Sequence, residues 1–434
     1  MGHGWATQRL SRRHFIGEIV GFGSLALLSG CGGGATATAA LAPTAAARTA
    51  VATVATTPVV SGGSATATRA ATAGATRIPV AITPGDSPLV RALALVPQRA
   101  PLPGAEGLAF ADLLTQKRNY GLGEATSAEA FRALQRTPET LSNLTNGLPL
   151  PAESGIEHAL DPEWREVVGY DFWQIERTIS AGSPPNVWSR LEGRFAEEEI
   201  ATVLGRAGHR PVAYGGATIL ARGDDRQIVD LNRPITRLTL ARLNRIVLEE
   251  GAVMATAATA LAEAGIDARV GRLDTFAADP DYAALAVALG PVVGARLIPA
   301  NLFSQPQSAN PRAAPATATA TRTADPGRPR LNPYRLVGLG LRDDGTTHTM
   351  LVALVYADAA AARADAPLLR QRATDYQLLA TRQPLRERAV VGEPTIVASG
   401  ERATLLLPFA IADVANLGLW QRMFFQRDYG FLAE

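Results

Sequence analysis

Apolar and polar positions over 334–434 follow the pattern of paired strands and packed helices. Apolar residues fill 336–341 and 350–356 on either side of Asp343-Asp344-Gly345, a strong hairpin signal. Asp358 is placed to cap a helix over 359–377. A second hairpin is predicted from 389–398 to 402–409 around Ser399-Gly400-Glu401. A closing helix over 411–427 carries Leu417, Trp420 and Phe424 on one face. The order is ββαββα.

Upstream, the same rules predict a strand leading into a helix over 105–114, a helix over 127–135 capped by Ser127, and a loop-rich stretch over 136–162. Trp164, Val167, Val168, Phe172, Ile175 and Ile179 recur at helical spacing, which predicts one helix over 164–179. Ser180-Ala181-Gly182-Ser183-Pro184-Pro185 stops it. A strand over 187–195 precedes a helix over 196–207, where Glu197, Glu198 and Glu199 complement the dipole and Gly208 follows the end. Two hairpins are then predicted, 212–221 with 226–231 around Gly223-Asp224-Asp225, and 243–248 with 252–257 around Glu249-Glu250-Gly251. Helices over 257–264 and 280–289 precede an apolar strand over 292–303. The second of these helices has Asp279 as N-cap, Pro280 at the first position and Gly290 beyond.

Hairpins outnumber strand–helix–strand crossovers, so the expected class is α+β, with antiparallel sheets and packed helices. The vocabulary of 334–434 recurs over 187–303, as after a diverged duplication. Two stretches lack any period. Residues 32–77 are almost all Ala, Thr, Gly, Pro and Val, which predicts a disordered stalk because too little surface can be buried to offset ordering entropy. Residues 304–333 are rich in Pro, Ala, Thr and Arg and read either as an interdomain linker or as an excursion between two strands of one sheet, the latter preferred. The organisation is therefore 1–30, 31–77, an α+β region over 78–303, the 304–333 segment, and 334–434.

Near the N-terminus, Ser11-Arg12-Arg13-His14-Phe15-Ile16 precedes a short apolar run to Leu27-Leu28-Ser29-Gly30-Cys31. The run is broken by Glu18 and three glycines and is shorter than the roughly 20 apolar residues a spanning helix needs. The Arg12-Arg13-x-Phe15 pattern resembles the twin-arginine signal of bacterial export, and the sequence ending at Cys31 resembles the lipobox of lipoprotein precursors. The resemblance covers residues 9–31. It implies cleavage before Cys31, diacylglyceryl attachment to its sulfur, and a lipid-anchored protein at the extracytoplasmic face of the cell membrane. Cys31 is the chain's single cysteine, so no disulfide forms within the chain, which suits a protein that folds before export.

Removing Arg9, Arg12, Arg13 and Glu18 from 42 basic and 40 acidic side chains leaves 39 of each. A formally neutral mature chain argues against nucleic-acid binding, which needs surplus positive charge. Lys117 is the only lysine, so lysine chemistry has one candidate. His158, His209 and His348 show no ligand spacing, and no metal or cofactor is expected. Asp224-Asp225, Glu249-Glu250 and Asp343-Asp344 sit where tight turns select acids. Arg222-Gly223-Asp224 matches an adhesion tripeptide within one of those turns. Nucleophile-elbow, metalloprotease and phosphate-loop patterns are absent, and Gly338-Leu339-Gly340 lies inside a strand. Tyr170, Phe172, Trp173 and Trp188, with Arg177 and Arg190, are candidates to line a pocket or to form core.

The sequence thus predicts a membrane-anchored, non-enzymatic module that binds a protein or small-molecule ligand at the cell envelope. The alternatives are an envelope hydrolase using acidic side chains, and a transporter-associated solute-binding protein, whose two parallel lobes the hairpins disfavour.

Overall fold

The computed structural model describes residues 87–434, apart from 105–106, 135, 303–328, 380, 414–415, 427 and 433–434. The twin-arginine motif, Cys31, the stalk and most of 304–333 lie outside the described residues.

Strands are β1 (Leu108–Asp112), β2 (Ile175–Ser183), β3 (Asn186–Gly193), β4 (Arg210–Tyr214), β5 (Ala217–Ala221), β6 (Arg245–Glu249) and β7 (Ala252–Thr256). They continue with β8 (Gly294–Pro299), β9 (Leu336–Asp343), β10 (His348–Tyr356), β11 (Val390–Val391), β12 (Thr395–Ser399) and β13 (Arg402–Ile411). Helices are α1 (Pro88–Leu93), α2 (Leu113–Asn119), α3 (Ala128–Ala133), α4 (Pro138–Thr145), α5 (Pro162–Val168) and α6 (Glu197–Arg206). The remainder are α7 (Pro234–Thr239), α8 (Thr259–Arg269), α9 (Pro280–Leu289), α10 (Ala359–Asp375) and α11 (Leu419–Gln426).

All thirteen strands join one sheet in the order β11-β13-β10-β9-β8-β1-β2-β3-β7-β6-β5-β4, with β12 also on β13. Every pairing between these strands is antiparallel. The class is α+β, with helices on both faces. β10 shows why its sequence is nearly all apolar: Met350, Val352, Leu354 and Tyr356 enter one core, and Leu351, Ala353 and Val355 enter the other. A strand covered on both faces loses the usual alternation with polar residues. β8 and β9 are direct partners, so 304–333 joins neighbouring strands.

Counted outward from the β1–β8 contact, the order is β1-β2-β3-β7-β6 on one side and β8-β9-β10-β13-β12 on the other. Each half has three consecutive strands, an excursion containing a helix (α6, α10), then a hairpin whose second strand docks on the third strand. The two halves therefore share one strand order, over β1–β7 and over β8–β13 rather than over 187–303 and 334–434. The β4–β5 hairpin extends one edge.

Several boundaries differ from expectation. The predicted helix over 164–179 is three elements. Gly169, at φ +85°, closes α5, a capping box between Asp171 and Gln174 holds a 3-10 turn at Phe172–Gln174, and β2 follows. Ile175 and Ile179 share a helical spacing, yet an irregularity between Ile175 and Arg177 in β2 sends them to opposite cores. The hairpin expected at Gly223 turns instead at Gly215-Gly216, whose φ values of 58° and 87° suit a two-residue turn. Residues 226–231 are loop. The strand predicted over 292–303 stops at Pro299, α11 starts at Leu419 rather than near 411, and α4 lies within the stretch expected to be loop.

Candidate binding cleft

A cleft of about 320 Å³ opens between α11 and the segment that follows α10, within the usual range of small-ligand sites, about 300–1,000 Å³. Leu419 and Met423 stand one turn apart on α11 and, with Leu378, give an apolar floor. Arg422 comes from the same helix, and Arg388 from the end of the short turn Leu385–Glu387. Asn416, Thr381 and Gln426 complete the polar lining.

Charge within the cleft is unbalanced. Among the described lining residues the one acid, Asp428, is buried and engaged: one carboxylate oxygen accepts from the Tyr376 hydroxyl and the other from the Leu379 amide at 2.8 Å. Arg388 directs Nε and Nη2 to the Gln383 side-chain oxygen, a neutral partner. Among the described residues, no acid pairs with Arg422. Loss of solvation, and then the Arg388 charge, push Arg422 below the ordinary arginine value. Two guanidiniums against one carboxylate leave the cleft net positive above an apolar floor, an arrangement that attracts an anion.

A second polar cluster ties α2 to the β9–β10 hairpin. Asp343 Oδ1 accepts from His348 Nδ1 at 3.0 Å and from the Gly345 amide at 2.8 Å, and Oδ2 accepts from Gln116 Nε2 at 2.6 Å. The Asp343 carbonyl accepts from Asn119 Nδ2 at 2.7 Å. Tyr120, beside them, is pushed up to about 12 by burial and then by Asp343. The Tyr120 hydroxyl and Gln116 Oε1 have no partner. Asp343 is therefore a buried tie, whereas Asp344 is the turn residue, accepting from the Thr346 and Thr347 amides.

The predicted pocket of Tyr170, Trp173, Arg177 and Trp188 does not form. Tyr170 and Trp173 lie in one core, with the Trp173 ring 4.5 Å from Phe131 and its Nε1 donating to Ala159 O. Trp188 lies in the other core, with Nε1 facing Met254 Sδ at 3.0 Å. The sheet separates them, because the turn before β2 packs Tyr170 and Trp173 into one core while Trp188 on β3 points into the other. Arg177 pairs with Glu192, and Arg190 with Glu192 and Glu249. Glu153, buried behind Tyr170, is pushed upward by desolvation.

Other candidates are similarly occupied. Lys117 donates to Trp173 O and Ile175 O at 2.6 and 2.7 Å, and burial lowers it to about 8. His209 is buried between the Leu204 and Leu243 carbonyls, and burial lowers its pKa. Arg222 is buried and donates to Val229 O and the Thr236 hydroxyl, so the adhesion tripeptide is not displayed. Among the described residues, no group of three or more His, Cys, Asp and Glu is placed to hold a metal, and no helix is long and apolar enough to cross a membrane.

The cleft escaped sequence reasoning because its residues come from 378–388 and 416–428, each half unremarkable alone. The signal present was Arg422 on the face of α11 next to Leu419 and Met423.

No family model matches the chain, and no curated protein matches it in sequence. Solved structures do show a distant likeness. Crystal form I of TP0453 aligns with 76% of this chain and 96% of its own, at 9% identity and a TM-score of 0.34. Crystal forms III and IV align at 8% and 11% identity, each with a TM-score of 0.31, over 75% and 76% of this chain and 96% and 95% of theirs. A likeness this slight leaves the chain's function open.

Proposed function

We propose that the chain is a lipid-anchored module at the extracytoplasmic face of the cell membrane, which binds a small ligand in the cleft beneath α11. The unbalanced arginine pair in that cleft is the observation that carries the binding half. The anchoring half rests on Arg12, Arg13, Phe15 and Cys31 at the spacing of an export signal and lipobox. The hydrolase alternative loses support because one carboxylate of each turn pair is already engaged: Asp225 by Arg245 and Thr259, Glu249 by Arg190 and Arg269, and Asp343 by His348 and Gln116. The solute-binding alternative calls for parallel lobes, and the sheet is antiparallel. A Cys31→Ala variant is expected to lose palmitate incorporation and leave the membrane fraction; unchanged fractionation would refute the anchor.

A further inference from the structure

We infer that the cleft takes an amphiphile: an anionic oxygen group, carboxylate or phosphate, carried on a short apolar body. This rests on the reading that the cleft is the binding site, and it names the ligand chemistry. The two halves of the lining argue it separately. Arg388 and Arg422 lie close enough for one charge to depress the other's pKa. An anion placed between them relieves that repulsion and gains charge-assisted hydrogen bonds. Asp428 directs its oxygens to Tyr376 and Leu379 and makes no ion pair with either arginine, so one positive charge is left in excess.

The floor selects against a bare anion. Leu378, Leu419 and Met423 line the same space and present no donor. A fully hydrated phosphate leaves that surface wet, whereas an alkyl or ring body covers it and gains the burial energy of each methylene. Asn416, Thr381 and Gln426 offer orienting hydrogen bonds. The same head chemistry occurs in a free fatty acid, an alkyl phosphate or a lipid headgroup, and the size of the cleft, about 320 Å³, suits a chain of about eight carbons more than a whole diacyl lipid.

The test is isothermal titration calorimetry on the full chain with octanoate, octyl phosphate, octanol and inorganic phosphate. Octanoate and octyl phosphate are expected to bind at one site, with octanol and inorganic phosphate each weaker by about tenfold or more. The double variant Arg388→Gln/Arg422→Gln should weaken the two amphiphiles by about tenfold and leave octanol unchanged. Thr381→Trp, which fills the mouth from an exposed position, should abolish binding of all. Octanol binding as tightly as octanoate, and still blocked by Thr381→Trp, overturns the anionic head while the cleft stands. Inorganic phosphate binding as tightly as octyl phosphate overturns the apolar body and points to a free anion. Binding of none, or binding indifferent to Thr381→Trp, overturns the cleft itself.

Discussion

At the scale of single residues, the buried polar groups divide into those with partners and those without. The Tyr120 hydroxyl is orphaned beside Asp343. An unsatisfied buried group costs its desolvation, so Tyr120→Phe is expected to be neutral or stabilising by up to about 1 kcal/mol in urea unfolding. A loss of stability would mean that the hydroxyl has a role. Lys117 behaves differently, because a neutral amine can still donate to both Trp173 O and Ile175 O. Its folded value of about 8 lies below the ordinary 10.5. The unfolded chain therefore holds the extra proton between those values, and stability rises with pH across that window, by roughly 3 kcal/mol at most. Below about pH 8 both states are charged and the penalty is complete. Unfolding of a Lys117→Met variant measured from pH 8 to 10.5 should lack that rise.

Among the elements, those with local punctuation were legible in the sequence. α9 runs over the predicted 280–289, because Asp279 accepts from the Asp281 and Tyr282 amides and Pro280 fixes the first turn. α10 begins where Asp358 caps it. The hairpins at Asp343 and Ser399 formed where their turns indicated. Elements whose apolar spacing fits two periods were not legible, as Ile175 and Ile179 show. Gly338 and Gly340 are explained by packing: a Cβ on Gly338 would lie 2.6 Å from Leu285 Cδ1, and one on Gly340 would lie 3.0 Å from Leu289 Cδ2. The two glycines let α9 settle close to β9. Gly338→Val is expected to destabilise by about 1–3 kcal/mol through overpacking, read as a lower urea midpoint.

For the whole molecule, sequence patterning gave the antiparallel class but not one continuous sheet, because the β1–β8 contact joins residues far apart along the chain. The shared order of the two halves shows only in the strand pairing, since the β4–β5 hairpin and the helices between β1 and β2 interrupt the first half along the chain. The cleft required tertiary structure for the same reason: Arg388 and Arg422 meet across two elements. The proposed address at residues 9–31 rests on sequence alone, because export signals are linear patterns. The most direct measurement is intact mass spectrometry of the N-terminal peptide from protein isolated from its own membranes. The account predicts a peptide starting at Cys31 and carrying a diacylglyceryl group. A peptide that retains Arg12 and Arg13, or one with an unmodified Cys31 sulfur, would contradict it.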